Sequence, residues 1–132
     1  MPSLASIELN LIVWSVALCV LQMLISAILT HSQVGFTTMI GNREDFPILK
    51  GAPGRARRAH ENMVANLVLF ASLMLVVALT GKSNAMTTLG AHLFFWARLI
   101  YAIVYVLGIT WARTIAWAIS MVGLFIIFIE VI

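Results

Sequence analysis

Four long apolar runs constrain the fold of this 132-residue chain more than any other feature. They cover about residues 7–29, 55–79, 85–107 and 112–132. Each is near the roughly 20 apolar residues that one membrane-crossing helix needs. Only 10% of the residues are charged, against about 25% in soluble domains. An ordinary soluble globular domain is therefore excluded, and the sequence predicts an all-α integral membrane protein with a single four-helix domain.

The connections between these runs are very unequal in length. The first, from His31 to Gly54, is polar and rich in glycine and proline, which predicts a loop with a short amphipathic helix near residues 34–40. The other two connections are turns of a few residues. Short turns make consecutive helices antiparallel neighbours, so we expect an up-down-up-down bundle. No Lys or Arg precedes the first run, which is also too long for a signal peptide, so it is expected to remain as a membrane helix.

The basic residues next to the runs predict the orientation of the bundle. Lys82 is the only basic residue of the second connection. The first and third connections, with their flanks, hold Arg43, Lys50, Arg55, Arg57, Arg58 and Arg113. This bias places the first and third connections in the cytoplasm and both termini outside. Because the basic residues form no face on a soluble element, nucleic acid is not an expected partner.

Arg98 lies inside the third run, where a charged side chain is rare. A charge at the centre of a membrane helix costs about 2.5–3.5 kcal/mol and usually marks a functional site. Arg98 precedes Gly108 by about 15 Å of helix, which is too far for easy contact with the membrane surface. Tyr101 and Tyr105 follow Arg98 on the same helix face. This pattern predicts a polar site inside the bundle or at a subunit boundary.

The second run carries a matching polar stripe. Its members are spaced by three or four residues and are Arg55, Arg58, Asn62 and Asn66. Cationic and amide groups on two helices match an anionic ligand rich in hydrogen-bonding groups. The alternative is that these side chains only hold the helices together through interhelical hydrogen bonds. No histidine or cysteine spacing is typical of a metal site, so no metal is expected.

Three segments of the chain resemble the MAPEG family, the membrane-associated proteins in eicosanoid and glutathione metabolism. Residues 55–62, which read RARRAHEN, resemble the signature of the family's second helix together with Asn66 and Phe70. Residues 96–108 resemble the third helix, and residues 113–117 resemble the start of the fourth. The likeness covers nearly the whole chain and includes the helix count and the long first connection.

The resemblance implies a homotrimer of bacterial type in the inner membrane, with glutathione as co-substrate between neighbouring subunits near the cytoplasmic face. Such a protein would be a glutathione-dependent transferase or peroxidase. Its lipophilic electrophile or hydroperoxide would arrive through the lipid bilayer.

The resemblance also implies roles for individual residues. Positions that match or flank glutathione contacts of relatives are Arg55, Arg58, His60, Asn62, Arg98, Tyr101 and Tyr105. Arg113, or Thr114 beside it, matches the position proposed to stabilise the thiolate. The family's glutamate after Asn62 is Ala65 in this chain. Its absence favours an alternative, a non-catalytic MAPEG-fold membrane protein that serves assembly or the binding of lipid or a partner.

Overall fold

In the computed structural model, which describes all 132 residues, the chain is entirely helical. Every helix except the second is long and apolar enough to cross a membrane, which confirms the predicted helical membrane architecture. The second helix is a short piece within the first connection, where the sequence predicted one. The helices are α1 (Leu4–Val34), α2 (Phe36–Ile40), α3 (Gly51–Thr80), α4 (Ala85–Leu107) and α5 (Thr110–Val131).

Helices α1 and α3 extend beyond their apolar runs into the first connection. The side chain of Gln33 holds these extensions together, because its Nε2 donates to the Lys50 carbonyl at 3.0 Å and its Oε1 accepts from the Lys50 N–H at 3.1 Å. Helix α1 is capped by Gly35, whose φ of 80° suits a residue without a Cβ. The apolar run thus marks the part of each helix that suits the hydrocarbon core of a bilayer. Backbone and side-chain hydrogen bonds determine where the helix stops.

Hydrogen bonds at the two ends of the bundle show that successive long helices run in opposite directions. At one end, which we call the Lys82 end, the Lys82 Nζ donates to the Val131 carbonyl at 2.8 Å. At the other, the arginine-rich end, the Arg55 Nε donates to the Val106 carbonyl at 3.0 Å. Helices α3 and α4 form the central pair, since each contacts both α1 and α5 while α1 and α5 do not touch.

The core lies mainly between the central pair and its neighbours. The rings of Phe70 on α3 and Phe94 on α4 stack with their centroids 4.2 Å apart. Helix α5 packs closely on α4 at Gly90 and Gly123, where a Cβ on either glycine would lie within 2.7 Å of the other's carbonyl oxygen. Small residues of this kind let membrane helices approach at their backbones. The outer surface is apolar, as suits contact with lipid or with other subunits.

A buried carboxylate ties α1 to the start of α4 at the Lys82 end. Glu8 is 2% exposed and forms no salt bridge. Its Oε2 accepts from the Ser83 hydroxyl at 2.7 Å, and its Oε1 accepts from the Thr87 and Thr88 hydroxyls at 2.5 and 3.0 Å. The amino end of a helix also favours a negative charge. Nothing in the local spacing of the sequence pointed to this contact.

Replacing Glu8 by alanine should destabilise the bundle by about 1–3 kcal/mol. The Thr87 and Thr88 hydroxyls can turn to the Asn84 carbonyl, which lies 2.9 and 3.0 Å away, so the main losses are the Ser83 bond and the packing of the carboxylate. Unfolding by sodium dodecyl sulfate, followed by circular dichroism, measures the change. The exposed Asn10→Ala is the matched control, and equal stability of the two variants would contradict the prediction.

Candidate functional site

The polar side chains of α3, α4 and α5 gather toward the arginine-rich end of the bundle, with Arg98 at the centre. Arg98 is 1% exposed. Its Nη2 donates to the Asn62 Oδ1 at 2.5 Å, and its guanidinium carbon lies 4.3 Å from the centre of the Tyr101 ring. The polar stripe of α3 therefore packs against the side of α4 that carries Arg98.

Two of the three guanidinium nitrogens of Arg98 have no hydrogen-bond partner. Both Nε and Nη1 are buried, and no carboxylate forms a salt bridge with this side chain. Buried charges in proteins are ordinarily paired, because an uncompensated charge in a low-dielectric interior is costly. Arg98 thus retains capacity to bind an anion from outside the chain.

The amide side chains of α3 hold the acceptor for Arg98 in place. The Asn66 Nδ2 donates to the Asn62 carbonyl at 2.8 Å and to its Oδ1 at 3.2 Å. Asn66 lies one helical turn deeper than Asn62 on the same face. The Asn62 Oδ1 consequently accepts from both sides, which orients its amide.

A second group of cations surrounds Tyr105, nearer the end of the bundle. The Tyr105 ring centroid lies 5.3 Å from that of Tyr101. The Arg58 Nε donates to the Tyr105 hydroxyl at 3.3 Å, and the Arg113 guanidinium carbon lies 4.7 Å from the centre of the Tyr105 ring. Arg55 lies close by, against Gly108 and the end of α4. The two tyrosines thus connect the buried Arg98 to a more accessible cationic rim.

No carboxylate balances this set of guanidinium groups. The chain has five acidic residues. Glu8 and Glu130 bind Ser83 and Asn84 at the Lys82 end, and Glu61 forms the chain's one salt bridge, with Arg57 at 3.0 Å. Glu44 and Asp45 are exposed in the first connection. The site is therefore positively charged, and its chemistry suits an anion with several hydrogen-bonding groups.

Not every residue named from the sequence lies in this site. His60 faces α1, with its Nδ1 4.0 Å from the Cys19 sulfur. Two residues along a helix correspond to about 200° of rotation, so His60 and Asn62 lie on nearly opposite faces of α3. The Thr114 hydroxyl donates to the Thr110 carbonyl at 3.1 Å and is exposed. The residues that the structure brings together are Arg55, Arg58, Asn62, Asn66, Arg98, Tyr101, Tyr105 and Arg113.

Polar side chains on the second half of α1 had no role assigned from the sequence. Gln22, Ser26 and Thr30 follow one another at intervals of one helical turn, and all three are buried. This four-residue spacing is the signal that could have found them. Ser26 and Thr30 face the side of α3 that carries His60, away from Arg98.

In a comparison with models of known protein families, one model matches nearly the whole chain. The model of the MAPEG family matches residues 11–132. The comparisons with curated proteins and with solved structures found no match. The family match includes every residue of the cationic site and confirms the resemblance noted from the sequence.

Proposed function

The chain belongs to the MAPEG family, and from this premise we propose that it is a membrane-bound, glutathione-dependent transferase or peroxidase that acts on lipophilic electrophiles or hydroperoxides. The observation that carries the proposal is the buried Arg98, whose charge has no counterion within the chain. A ligand with carboxylate groups would supply that counterion. Glutathione has two carboxylates and several amide groups, so its chemistry matches the site.

The proposed binding mode divides the ligand between the two cationic groups. Arg98 and Asn62 would hold one carboxylate and a neighbouring amide in the bundle, because guanidinium and carboxylate form short charge-assisted hydrogen bonds. Arg58 and Arg55 would hold the second carboxylate at the rim. Tyr101 and Tyr105 line the path between these positions and can orient the peptide.

Arg113 is the residue that we propose to favour the thiolate of the bound peptide. A thiol of ordinary pKa, about 8.5, becomes a better nucleophile at neutral pH when a nearby cation lowers that pKa. The Arg113 side chain makes no hydrogen bond or salt bridge in the chain, so its donors are available. The Thr114 hydroxyl is already bound to a backbone carbonyl, which makes it the weaker candidate.

Either reaction starts from the same thiolate. In a transfer, the sulfur attacks an electrophilic carbon, a carbon–sulfur bond forms and the leaving group departs with its electron pair. In a peroxide reduction, the sulfur attacks the terminal oxygen, the O–O bond breaks and an alcohol forms after protonation. A second glutathione then converts the sulfenic acid to a disulfide and water.

The experiment that tests the proposal is conjugation of chlorodinitrobenzene by the purified protein with and without glutathione, paired with calorimetric titration of glutathione. We expect glutathione-dependent product and saturable binding. Lys82→Ala is the matched control, because it removes a cation at the opposite end of the bundle. Absence of both activity and binding would contradict the proposal.

The second candidate is a non-catalytic member of the family that serves assembly or binds lipid or a partner. Ala65 favours it, because that position carries the family's glutamate in glutathione-binding relatives. The nearest carboxylate on α3, that of Glu61, is bound to Arg57 and does not take its place. Absence of glutathione binding together with absence of turnover of any electrophile or hydroperoxide would support this candidate over the enzyme.

A homotrimer is part of the proposal. His60 lies on the opposite face of α3 from Asn62, so it would reach bound glutathione only across a subunit boundary. Light scattering in detergent, corrected for the micelle, should give a mass of three copies. A homogeneous monomer would contradict a site shared between subunits.

We also propose that the arginine-rich end faces the cytoplasm of a bacterial inner membrane, with both termini outside. The distribution of basic residues supports this orientation, and glutathione is a thiol of the cytosol. Reporter fusions to each terminus should report a location outside the cytoplasm. A cytoplasmic signal from the C-terminal fusion would reverse the assignment.

A further inference from the structure

A polar cavity lies on the other side of α3 from Arg98. It is a crevice of about 210 Å³ between the last turns of α1, the first turns of α3 and the first connection. We call this cavity the α1–α3 crevice. Its polar and aromatic lining residues are Ser26, Thr30, Arg43, Phe46, Arg57 and His60, with Glu61 beside them. No step of the proposed reaction uses it.

Two hydroxyl groups that line this crevice form no hydrogen bond within the chain. Ser26 and Thr30 are each 8% exposed, and neither side chain bonds to another group in the chain. Most other hydroxyls on the long helices donate to a carbonyl one turn earlier, including those of Ser15, Ser32, Ser72, Thr80, Thr114 and Ser120. The Ser26 and Thr30 hydroxyls are therefore free to donate to a polar group that enters the crevice.

The opening of the crevice carries two cations around one aromatic ring. The guanidinium carbons of Arg43 and Arg57 each lie 5.9 Å from the centre of the Phe46 ring. Arg57 is paired with Glu61, whereas Arg43 forms no salt bridge. Arg43 also has a φ of 64°, an unfavourable value for a residue with a Cβ. Such strain persists where the surrounding structure imposes it, and it is common at ligand sites.

The height of the crevice matches the boundary between hydrocarbon and lipid headgroups. The first apolar run ends at Leu29, and Thr30 is the first polar residue after it. Met23 and Ala27, on the outer edge of the crevice, are exposed on the apolar surface of α1. An amphipathic molecule could therefore place its polar group in the crevice while its chains follow α1 into the bilayer.

We infer that the α1–α3 crevice binds the phosphate group of an anionic phospholipid. The phosphate oxygens accept from the Ser26 and Thr30 hydroxyls and from the free guanidinium nitrogens of Arg43, which also supplies the opposite charge. Basic side chains at the membrane surface attract anionic lipids in this way. The inference does not depend on glutathione binding at Arg98 of the same subunit, because α3 separates this crevice from Arg98.

Native mass spectrometry of the detergent-purified protein tests the inference by measuring the affinities of phosphatidylglycerol and phosphatidylcholine. We expect phosphatidylglycerol to bind more tightly. Arg43→Ala should weaken its binding about tenfold, since a hydrogen bond to a charged group is lost. Ser26→Ala combined with Thr30→Val should weaken it by at least about tenfold, since two hydrogen bonds to the charged phosphate are lost. Ser72→Ala and Lys82→Ala are the controls and should change affinity less than twofold, as is typical of surface substitutions.

Four results would overturn the inference. Equal affinity for the two lipids would show that the crevice does not bind an anionic lipid. Unchanged phosphatidylglycerol affinity in the variants would show the same. Displacement of phosphatidylglycerol by inorganic phosphate at similar concentration would identify a free anion as the occupant. A fall in glutathione affinity in Ser26→Ala/Thr30→Val would make the crevice part of a neighbouring subunit's thiol-peptide site. Arg43 is exposed, so Arg43→Ala remains measurable even if the buried pair of substitutions impairs folding.

Discussion

Replacing Arg98 by leucine is expected to lower glutathione affinity roughly tenfold to a hundredfold while the protein remains folded. The loss corresponds to about 1.5–3 kcal/mol for a hydrogen bond to a charged group, at about 1.4 kcal/mol per factor of ten. The bundle should survive because replacing a buried charge by an apolar side chain is often neutral or stabilising. The Asn62 Oδ1 would also keep its bond from Asn66. Calorimetric titration of glutathione measures the change.

Arg98→Lys separates charge from geometry at the same position. A point charge cannot reproduce the planar fork of a guanidinium group, so lysine should restore only part of the affinity. Lys82→Ala should bind glutathione like the unmodified protein, since Lys82 lies at the opposite end of the bundle. Full glutathione affinity in Arg98→Leu would remove Arg98 from the site and leave it the role of holding α3 and α4 together.

Replacing Gly123 by leucine should destabilise the bundle by about 3 kcal/mol or more, the upper part of the range for overpacked sites. A Cβ on Gly123 would lie 2.6 Å from the Gly90 carbonyl oxygen and 2.9 Å from the Phe94 nitrogen. Both neighbours are backbone atoms, so α4 and α5 must move apart to admit any side chain. Thermal unfolding in detergent, followed by circular dichroism, measures the loss.

A graded series strengthens this prediction. Gly123→Ala should cost less than leucine but still be destabilising, because even one methyl group meets backbone. Ala118→Leu is the control, since Ala118 lies on the same helix and is exposed. If Gly123→Leu and Ala118→Leu melt at the same temperature, the close approach of α4 and α5 is not what holds them together.

The membrane-spanning architecture could be derived from the sequence because it depends on composition over a window of about 20 residues. Four apolar runs predicted four spanning helices, and the structure contains four. The polar face of α3 could also be predicted from the sequence, since a spacing of three or four residues determines which side chains share a helix face. The same rule placed Tyr101 and Tyr105 beside Arg98 on α4. All of these are local properties of the chain.

Which faces meet was decided only by the tertiary structure. Helical periodicity shows that Asn62 and Arg98 each belong to a polar face, but their contact joins residues 36 positions apart. It could not show that His60 faces Cys19, or that Glu8 meets the hydroxyls at the start of α4. Thr114 differs from these residues, because its hydroxyl donates to the Thr110 carbonyl of its own helix and is not free for a ligand. Partners across helices depend on how the whole bundle packs, and packing is the balance of contacts from every helix at once.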